Sequence, residues 1–322
     1  MTAINAVTTL DVNGPVATIT IDSPPVNALS TDVRDGIKRA VEAADADDAV
    51  KAIVLICAGR TFIAGADISE FGKPPREPHL PVVLDRIEFA SKPIVAAVHG
   101  TALGGGFEVA LTAHYRVAVP SAKFGLPEIK LGLIPGAGGT QRLPRLIGVE
   151  KALDVILSGA PFSAKDAKDW GVVDELVAEG SLREGAEAFA RKLVETRAPL
   201  RKVRDLDEKL APARANPEIF ETVRKANARK FRGFEAWEKA IESVRNAVTL
   251  PFDEGMAKER EMFIALLGTT QSKAQRYVFF AERQTSKIPD IAADQQTRPV
   301  RNVGVIGAGT MGGGIAMNFL NA

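Results

Sequence analysis

The sequence has little of what disulfides, metal sites and membrane spans require. Its 322 residues include one cysteine and three histidines. One cysteine excludes a disulfide within the chain and fits a reducing compartment, and the scattered histidines offer no metal-ligand spacing. That cysteine, Cys57, lies in an apolar run, which predicts a core residue and not a nucleophile. No apolar run approaches the roughly eighteen residues of a membrane span. These absences predict a soluble, intracellular protein without a metal.

An excess of charge of one sign is also lacking. The 41 Lys and Arg residues nearly balance the 40 Asp and Glu residues, so the formal net charge is +1. This balance predicts no general attraction to nucleic acid or to anionic membranes. Residues 196–239 are the exception, with twelve basic residues against seven acidic ones. A solvated helical face explains such a run most simply; contact with coenzyme phosphates or with nucleic acid are the alternatives.

Hydrophobic patterns predict an α/β protein that repeats the order strand, loop, helix. A hairpin is expected around the Asn13-Gly14 turn within residues 5–22. A helix is expected to begin at Ser30 or Thr31. The apolar, β-branched run that follows is typical of a buried parallel strand. The expected elements beyond the first helix are strands over 51–57, 93–99 and 115–119, a helix over 79–91, and two short helices over 148–171.

A run of three glycines, residues 104–106, leads into an apolar segment that contains one charged residue, Glu108. The residues that share a helical face with Glu108 are Gly105, Val109 and Thr112, so this face is not expected to be solvated. A buried carboxylate indicates a partner or a chemical task. Glycines before a helix allow a ligand to approach unpaired backbone N–H groups, although close packing is an alternative explanation.

A second carboxylate, Glu128, follows twenty residues later. The stretch around it, residues 124–134, is otherwise apolar except for Lys130. Two carboxylates in dry surroundings, beside backbone donors, suggest proton transfer next to a carbonyl whose developing oxyanion is held by N–H groups.

These motifs resemble a known family. A-L-G-G-G-F-E at 102–108, followed by F-G-L-P-E-I-K-L-G-L-I-P-G-A-G-G-T-Q-R-L at 124–143, is similar to the crotonase superfamily and, within it, to the enoyl-CoA hydratases. The resemblance implies an α/β spiral of ββα units that hydrates trans-2-enoyl-CoA to 3-hydroxyacyl-CoA in fatty-acid β-oxidation. It implies that Glu108 is the base that activates water and Glu128 the acid that protonates C2, with the assignments open to exchange.

The resemblance also implies further site residues. Within G-R-T-F-I-A-G-A-D-I at 59–68, the N–H of Ala66 would form an oxyanion hole with that of Gly105. A loop with three prolines at 73–78 is expected to be mobile, and His114 is expected to be structural where the family commonly has an acidic residue. Gly136 is expected to start the helix that shapes the water site. The expected substrate contacts are Ala28, Ala64, Asp67, Ile68, Pro135 and Gly136.

The C-terminal part resembles a different stretch of related enzymes. Residues 251–263 are similar to the last helix of crotonases, and 269–283 to the linker of multifunctional β-oxidation enzymes, in which a crotonase half is fused to a 3-hydroxyacyl-CoA dehydrogenase. A strand, a G-x-G-x-x-G fingerprint and a helix start are expected in the last segment, as in an NAD-binding Rossmann domain. The fingerprint glycines are Gly307, Gly309 and Gly312. The expected parts are a crotonase core (1–195), a helical part (196–283), a linker (284–299) and an incomplete Rossmann start (300–322) of a longer chain.

The expected partners follow from the same resemblance. The substrate is an acyl-CoA thioester; hydration needs no cofactor, since CoA is part of the substrate, and NAD would serve only the longer parent with the remainder of its dehydrogenase domain. A second copy of the chain or a thiolase are the further partners considered. The compartment is the cytoplasm of a bacterium or the peroxisome of a eukaryote. Isomerisation of 3-enoyl-CoA is a second expected activity. The alternatives are other crotonase chemistry, by a hydrolase or decarboxylase, and a non-catalytic RNA-binding homologue.

We predict that residues 300–322 do not bind NAD by themselves. One strand and part of a helix cannot bury their apolar faces, and the acidic ribose ligand expected about twenty residues after the fingerprint would lie beyond Ala322. Calorimetric titration of the 322-residue chain with NAD should therefore show no binding heat. A measurable affinity would contradict this expectation.

Overall fold

The computed structural model describes residues 1–70, 73–74, 76–285, 288, 290–291, 295–296 and 298–321, the side chain of Ser69 excepted. The chain divides into two compact units, Met1–Tyr277 and Val278–Ala322. The domain boundaries expected from the sequence stay predictions. Part of the predicted 73–78 loop, Pro75, lies outside the described residues.

The described residues of the first unit contain two β-sheets. The larger sheet has the order β1-β2-β3-β4-β5-β7-β10 and the smaller sheet the order β6-β8-β9. The strands are β1 (Thr2–Asn5), β2 (Thr8–Asn13), β3 (Val16–Ile21), β4 (Ala52–Cys57), β5 (Ile94–Val98), β6 (Thr101–Leu103), β7 (Tyr115–Ala118), β8 (Lys123–Gly125), β9 (Phe162–Ser163) and β10 (Glu175–Leu176). The first three strands pair antiparallel, and β3 to β10 of the larger sheet pair parallel.

Helices surround these sheets and form the C-terminal part of the unit. They are α1 (Thr31–Ala46), α2 (Leu80–Glu88), α3 (Gly105–Thr112), α4 (Gly139–Ile147), α5 (Val149–Ser158), α6 (Ala164–Trp170), α7 (Leu182–Glu195), α8 (Ala211–Ala215), α9 (Glu218–Asn227), α10 (Ala236–Thr249), α11 (Phe252–Leu267) and α12 (Thr270–Thr285), which continues past Tyr277. Short 3-10 turns lie at Ile68–Glu70, Pro127–Leu131, Val203–Asp205 and Glu208–Leu210. Among the described helices, none combines the length and the hydropathy of a membrane-spanning segment.

The elements predicted in the first half of the chain are confirmed. The Asn13-Gly14 turn joins β2 to β3, and Ser30 accepts a hydrogen bond from Val33 N at the start of α1. All six residues of β4 are buried, as an uninterrupted apolar run predicts for a central parallel strand. The predicted helix at 79–91 is shorter, because it ends at Glu88.

Each turn of the chain adds one strand to the larger sheet and then one short segment to a second layer. β5 is followed by β6 and α3, and β7 is followed by β8. The segments after β3 and β4 belong to the same second layer, since Leu29 N donates to Gly65 O at 2.9 Å and Leu103 N donates to Ile63 O at 3.1 Å. This is the predicted spiral of ββα units. It brings three loop starts, near residues 29, 66 and 104, side by side.

The strand predicted before the fingerprint glycines is not formed. Residues 301–308 lie outside any strand, and α13 (Thr310–Leu320) begins after Gly309. A strand requires a hydrogen-bonded neighbour, and no described segment of the second unit provides one. The prediction of this strand is therefore wrong, and the assignment of residues 300–322 to the start of a Rossmann domain stays a prediction. The turn itself is tight: a Cβ on Gly312 would lie 1.8 Å from Gly307 O, and Gly307 has a φ of +99°.

Arg116 on β7 closes the C-terminal end of α3. Its guanidinium is fully buried and donates to the carbonyl groups of Val172 at 2.5 Å and Ala113 at 2.6 Å, and to Ala110 at 3.2 Å. Burial lowers the pKa of Arg116 to about 10, which leaves the side chain charged at neutral pH. The positive charge thus satisfies carbonyl groups that the helix leaves unpaired.

We expect Arg116→Ala to lower the free energy of unfolding by about 3 kcal/mol, because it leaves buried carbonyl groups without donors. Urea unfolding followed by circular dichroism measures the loss. The matched control is Arg39→Ala, which removes an exposed guanidinium paired with Asp35 at 3.3 Å and should change stability by less than about 0.5 kcal/mol. Equal effects of the two substitutions would contradict the role of Arg116.

His114 is buried in the core, and its Nδ1 accepts a hydrogen bond from Ile94 N at 3.0 Å. Burial lowers its pKa to about 4, so the ring is neutral in the folded protein at neutral pH. The unfolded chain binds a proton at this ring below a pH of about 6.5, and stability should fall as the pH drops from there towards the folded pKa.

We therefore expect His114→Asn to flatten the acid side of the stability curve. Between pH 7 and pH 5 the wild-type ring should contribute about 2 kcal/mol of destabilisation that the variant lacks. Urea midpoints at the two pH values measure the difference. If both proteins lose the same stability on acidification, His114 does not carry this dependence.

Candidate active site

The glycine run starts α3 and places each of its residues against a different neighbour. Gly104 precedes the helix with a φ of +53°, which favours glycine. A Cβ on Gly106 would lie 2.1 Å from Ile63 O, so any side chain there would push α3 away from the neighbouring segment. Beneath the helix, Phe107 packs against Phe124 and Phe162, with ring centroids 5.5 and 5.7 Å apart. The start of α3 is therefore closely packed against its neighbouring segments.

Glu108 lies one turn into α3 and is 3% exposed, so its predicted burial is confirmed. Its Oε1 accepts hydrogen bonds from Ala137 N and Gly139 N, both at 2.8 Å, at the beginning of α4. Burial raises the pKa of Glu108, against the opposing effects of these two N–H groups and of the cations Arg142 and Arg260. Its carboxylate is thus stabilised by backbone donors and not by a direct ion pair.

Glu128 lies on the 3-10 turn Pro127–Leu131 and faces the start of α3. A Cβ on Gly104 would be 2.9 Å from Glu128 Oε1, and Oε2 is buried without a hydrogen-bond partner among the described residues. Burial raises the pKa of Glu128 well above its usual value, and the negative charge of Glu108 raises it further. The two carboxyl groups therefore lie within electrostatic range and differ in their surroundings.

Two backbone N–H groups lie next to these carboxyl groups. Ala66 forms a parallel bridge with Leu29, and a Cβ on Gly105 would be 3.8 Å from Ala66 N and 2.9 Å from Leu29 Cδ1. In the described part of the chain, neither the N–H of Ala66 nor that of Gly105 donates to a protein acceptor. The two donors are thus adjacent and available to an oxyanion.

The other predicted contact residues surround this arrangement. Ala28 and Ala64 are half-buried and lie on two neighbouring segments. A hydrogen bond from Ala64 N to Val26 O, at 3.2 Å, joins these segments. Asp67 and Ile68 follow Ala66 on its loop. Pro135 and Glu108 both lie close to Gly139. A Cβ added to Gly139 would be 2.6 Å from Pro135 Cβ and 3.1 Å from Glu108 Oε1, so Pro135 lies beside the Glu108 carboxyl group. The fingerprint glycines Gly307, Gly309 and Gly312 belong to the second unit.

The prediction that Gly136 starts a helix is wrong. α4 begins at Gly139, after Gly138 with a φ of +103°. The amides ahead of the helix are bound by carboxylates, which holds residues 137–138 in a turn. Gly136 instead allows α11 to approach, since a Cβ there would be 2.4 Å from Phe263 Cγ.

Sequence reasoning missed Glu259 on α11, a carboxyl group that is fully buried like that of Glu108. It accepts hydrogen bonds from Gly138 N at 2.5 Å and from Thr140 N at 2.9 Å, and also from Thr140 Oγ1. Burial, followed by the charge of Glu108, raises its pKa to about 8. Helical spacing relative to the apolar Met262 and Phe263 is the signal in the sequence, but the charged residues on either side of Glu259 obscure it.

Arg34 on α1 is a second residue that the sequence did not reveal. Its buried guanidinium donates to Leu29 O at 2.6 Å, to Glu70 Oε2 at 2.9 Å and to Pro78 O at 2.8 Å. Arg34 thus connects the segment at Leu29, which pairs with Ala66, to the segments at Glu70 and Pro78, which follow Ala66 in the chain. Arg76 O also accepts from this side chain, at 3.0 Å. Part of the loop predicted to be mobile is therefore bound to α1.

Metal coordination has no comparable support in the described residues, where no group of three or more His, Cys, Asp or Glu side chains is arranged to hold an ion. The carboxyl groups of Glu108 and Glu259 are instead bound by backbone N–H groups.

Comparison with known proteins identifies relatives over most of the chain. A family model described as enoyl-CoA hydratase/isomerase matches residues 11–247. The peroxisomal bifunctional enzyme of Danio rerio is 43% identical over 308 residues, which cover 94% of this chain and 42% of that protein. The glyoxysomal fatty acid beta-oxidation multifunctional protein MFP-a of Cucumis sativus is 38% identical over 311 residues, 94% of this chain and 43% of that protein. The chain thus spans less than half the length of these relatives.

Solved structures agree with this match. Carnitinyl-CoA hydratase from Mycobacterium avium is 31% identical, with a TM-score of 0.64 over 87% of this chain and 97% of that one. Enoyl-CoA hydratase subunit I from Geobacillus kaustophilus is 35% identical, with a TM-score of 0.56 over 86% of this chain and 96% of that one. The spiral fold, the family model and these relatives together show that the chain belongs to the enoyl-CoA hydratase/isomerase family.

Proposed function

We propose that this protein hydrates trans-2-enoyl-CoA to 3-hydroxyacyl-CoA in fatty-acid β-oxidation. The observation that supports this most directly is the pair of glutamates, the buried Glu108 and the half-buried Glu128 with its buried Oε2, beside two backbone N–H groups that donate to no protein acceptor in the described part of the chain. Hydration of a conjugated thioester needs a base, an acid and an oxyanion site within the same small volume.

In this proposal Ala66 and Gly105 bind the thioester oxygen. Addition of water to C3 moves the electrons of the double bond towards that oxygen. The N–H groups of Ala66 and Gly105 would stabilise the enolate that forms. Loss of one such donor typically costs about 2.7 to 4 kcal/mol of transition-state stabilisation. The substrate contacts that we propose around them are Ala28, Ala64, Asp67, Ile68, Pro135 and Gly136.

The surroundings of the two carboxyl groups support different protonation states. Glu108 accepts from two N–H groups, which favours its ionised form, so we assign it as the base that removes a proton from water. Glu128 has a buried oxygen without a partner and a strongly raised pKa, which favours the protonated form. It would donate its proton to C2. Because the groups interact, the protons belong to the pair and the assignments are open to exchange.

Both glutamates also support a second activity, the shift of a 3-enoyl double bond to position 2, which needs only removal and return of a proton. Hydration itself requires no cofactor. Within a longer protein, the glycines Gly307, Gly309 and Gly312 would contribute to an NAD site that serves oxidation of the product. Self-association, a thiolase partner, and a place in the bacterial cytoplasm or the eukaryotic peroxisome are proposals of the same kind.

We expect Glu128→Gln to reduce kcat at least about 100-fold, because the amide keeps the size of the side chain but cannot deliver the proton. The affinity for butyryl-CoA, a saturated analogue, should change less than about threefold, as this analogue needs no proton. The assay is the loss of absorbance of the conjugated thioester of crotonyl-CoA, with calorimetry for butyryl-CoA.

The matched control for this prediction is Glu150→Gln on α5, which changes an exposed carboxylate in the same way. It should leave both kcat and affinity unchanged. A parallel loss of turnover and of butyryl-CoA binding in Glu128→Gln would indicate a structural role. Absence of turnover in the wild-type protein would refute the hydratase proposal itself.

A further inference from the structure

The beginning of α4 is shared by two carboxylates that arrive from different helices. We call residues 137–140 the amide turn. Glu108 on α3 and Glu259 on α11 bind alternate N–H groups of this turn. The four bonds run from Ala137 N to Glu108 Oε1 (2.8 Å), from Gly138 N to Glu259 Oε1 (2.5 Å), from Gly139 N to Glu108 Oε1 (2.8 Å) and from Thr140 N to Glu259 Oε2 (2.9 Å). The position of one carboxylate therefore depends on the other.

The Glu259 side chain is buried, and both of its oxygens accept hydrogen bonds. Glu259 is 0% exposed, and Thr140 donates to its carboxyl group through the backbone N–H and through the hydroxyl group. Thr140 Oγ1 also lies 2.6 Å from Ser243 Oγ, and Gln141 Nε2 donates to Ser243 O at 2.9 Å. These bonds join α10 and α11 to the amide turn. A buried carboxylate that is held this way keeps its geometry, since each broken bond would leave a polar group without a partner.

The charged groups that face this cluster come from four elements. Glu108 on α3 and Glu128 on the 3-10 turn are the acidic neighbours. Arg142 on α4 and Arg260 on α11 are the cations that act on Glu108. Arg142 is engaged with Glu88 at 2.8 Å and donates to the turn at Ala137 O. Glu259 thus adds a third carboxyl group, with a pKa of about 8, beside the two glutamates that we assign to the chemistry.

We propose that Glu259 is a positioning residue for hydration, which binds the N–H groups of the amide turn that alternate with those bound to Glu108 and so fixes the base. This inference rests on the proposed hydratase function. Glu259 lies beyond residues 11–247, which the family model matches, and it reaches the site from the C-terminal helices. It touches the amide turn and not the proposed thioester position.

The test variant is Glu259→Gln, which keeps the size of the side chain and removes its ionisable carboxyl group. An amide has one acceptor atom and one donor group, so it cannot accept from both Gly138 N and Thr140 N as the carboxylate does. We expect kcat for crotonyl-CoA to fall about 10- to 100-fold, since small displacements of a catalytic group have effects of that size. KM should stay within about threefold.

The pH profile provides the readout that a merely structural role would not change. Because the pKa of Glu259 is about 8, this side chain is charged mainly on the alkaline side, where its removal favours the ionised form of Glu128 and lowers the pKa of Glu128. The acidic limb reports the base and the alkaline limb the acid, so the alkaline limb of the kcat profile should move to lower pH while the acidic limb stays in place. The matched control is Glu261→Gln on the same helix, an exposed carboxylate paired with Lys258, and it should leave kcat and both limbs in place.

A second variant covers the case in which Glu259→Gln does not fold. Thr140→Val removes one donor to Glu259 and keeps its charge, and kcat should fall about tenfold with KM retained. Thermal unfolding checks both variants. The inference is overturned if a folded Glu259→Gln keeps the wild-type kcat and pH profile, or if kcat and butyryl-CoA affinity fall together while the limbs stay fixed. Wild-type protein without turnover would instead refute the hydratase proposal.

Discussion

The site depends on one physical constraint: buried carboxyl groups need donors, and the start of α4 supplies them. Glu108 takes two N–H groups of the amide turn and Glu259 takes the two that alternate with them. Glu128, without such donors on its Oε2, has a much less favourable setting for charge. The difference in hydrogen bonding gives chemically identical side chains different proton affinities.

The spiral makes this arrangement available. Each turn adds a strand to the larger sheet and a short segment to the second layer, so residues from separate turns meet at the same end. The N–H groups of Ala66 and Gly105, which donate to no acceptor among the described residues, lie there next to the start of α3. Two buried guanidinium groups bind backbone carbonyl groups farther out. Arg34 donates to Leu29 O, and Arg116 donates to Ala113 O at the C-terminal end of α3. The proposed chemistry thus relies on backbone donors in the centre and on guanidinium groups around it.

Local features of the sequence predicted much of this architecture. The hairpin at Asn13-Gly14, the cap at Ser30 and the buried strand β4 follow from turn residues, capping and apolar runs, and all three are confirmed. The burial of Glu108 followed from the apolar residues on its helical face. The start of α4 was misjudged at Gly136, because carboxylates from distant helices hold the preceding amides. The strand expected before Gly307 is not formed, because a strand needs a second strand to which it can hydrogen-bond.

Motifs in the sequence were enough to predict the family, much of the order of elements and two glutamates within a glycine-rich stretch. The amides that each carboxylate binds, and the arrival of Glu259 at them from a helix much later in the chain, were set by folding in three dimensions. The reason is that capping, turn formation and hydrophobic periodicity act over a few residues. Hydrogen bonding and pKa depend on distances through space, which arise when the turns of the spiral and the C-terminal helices pack together.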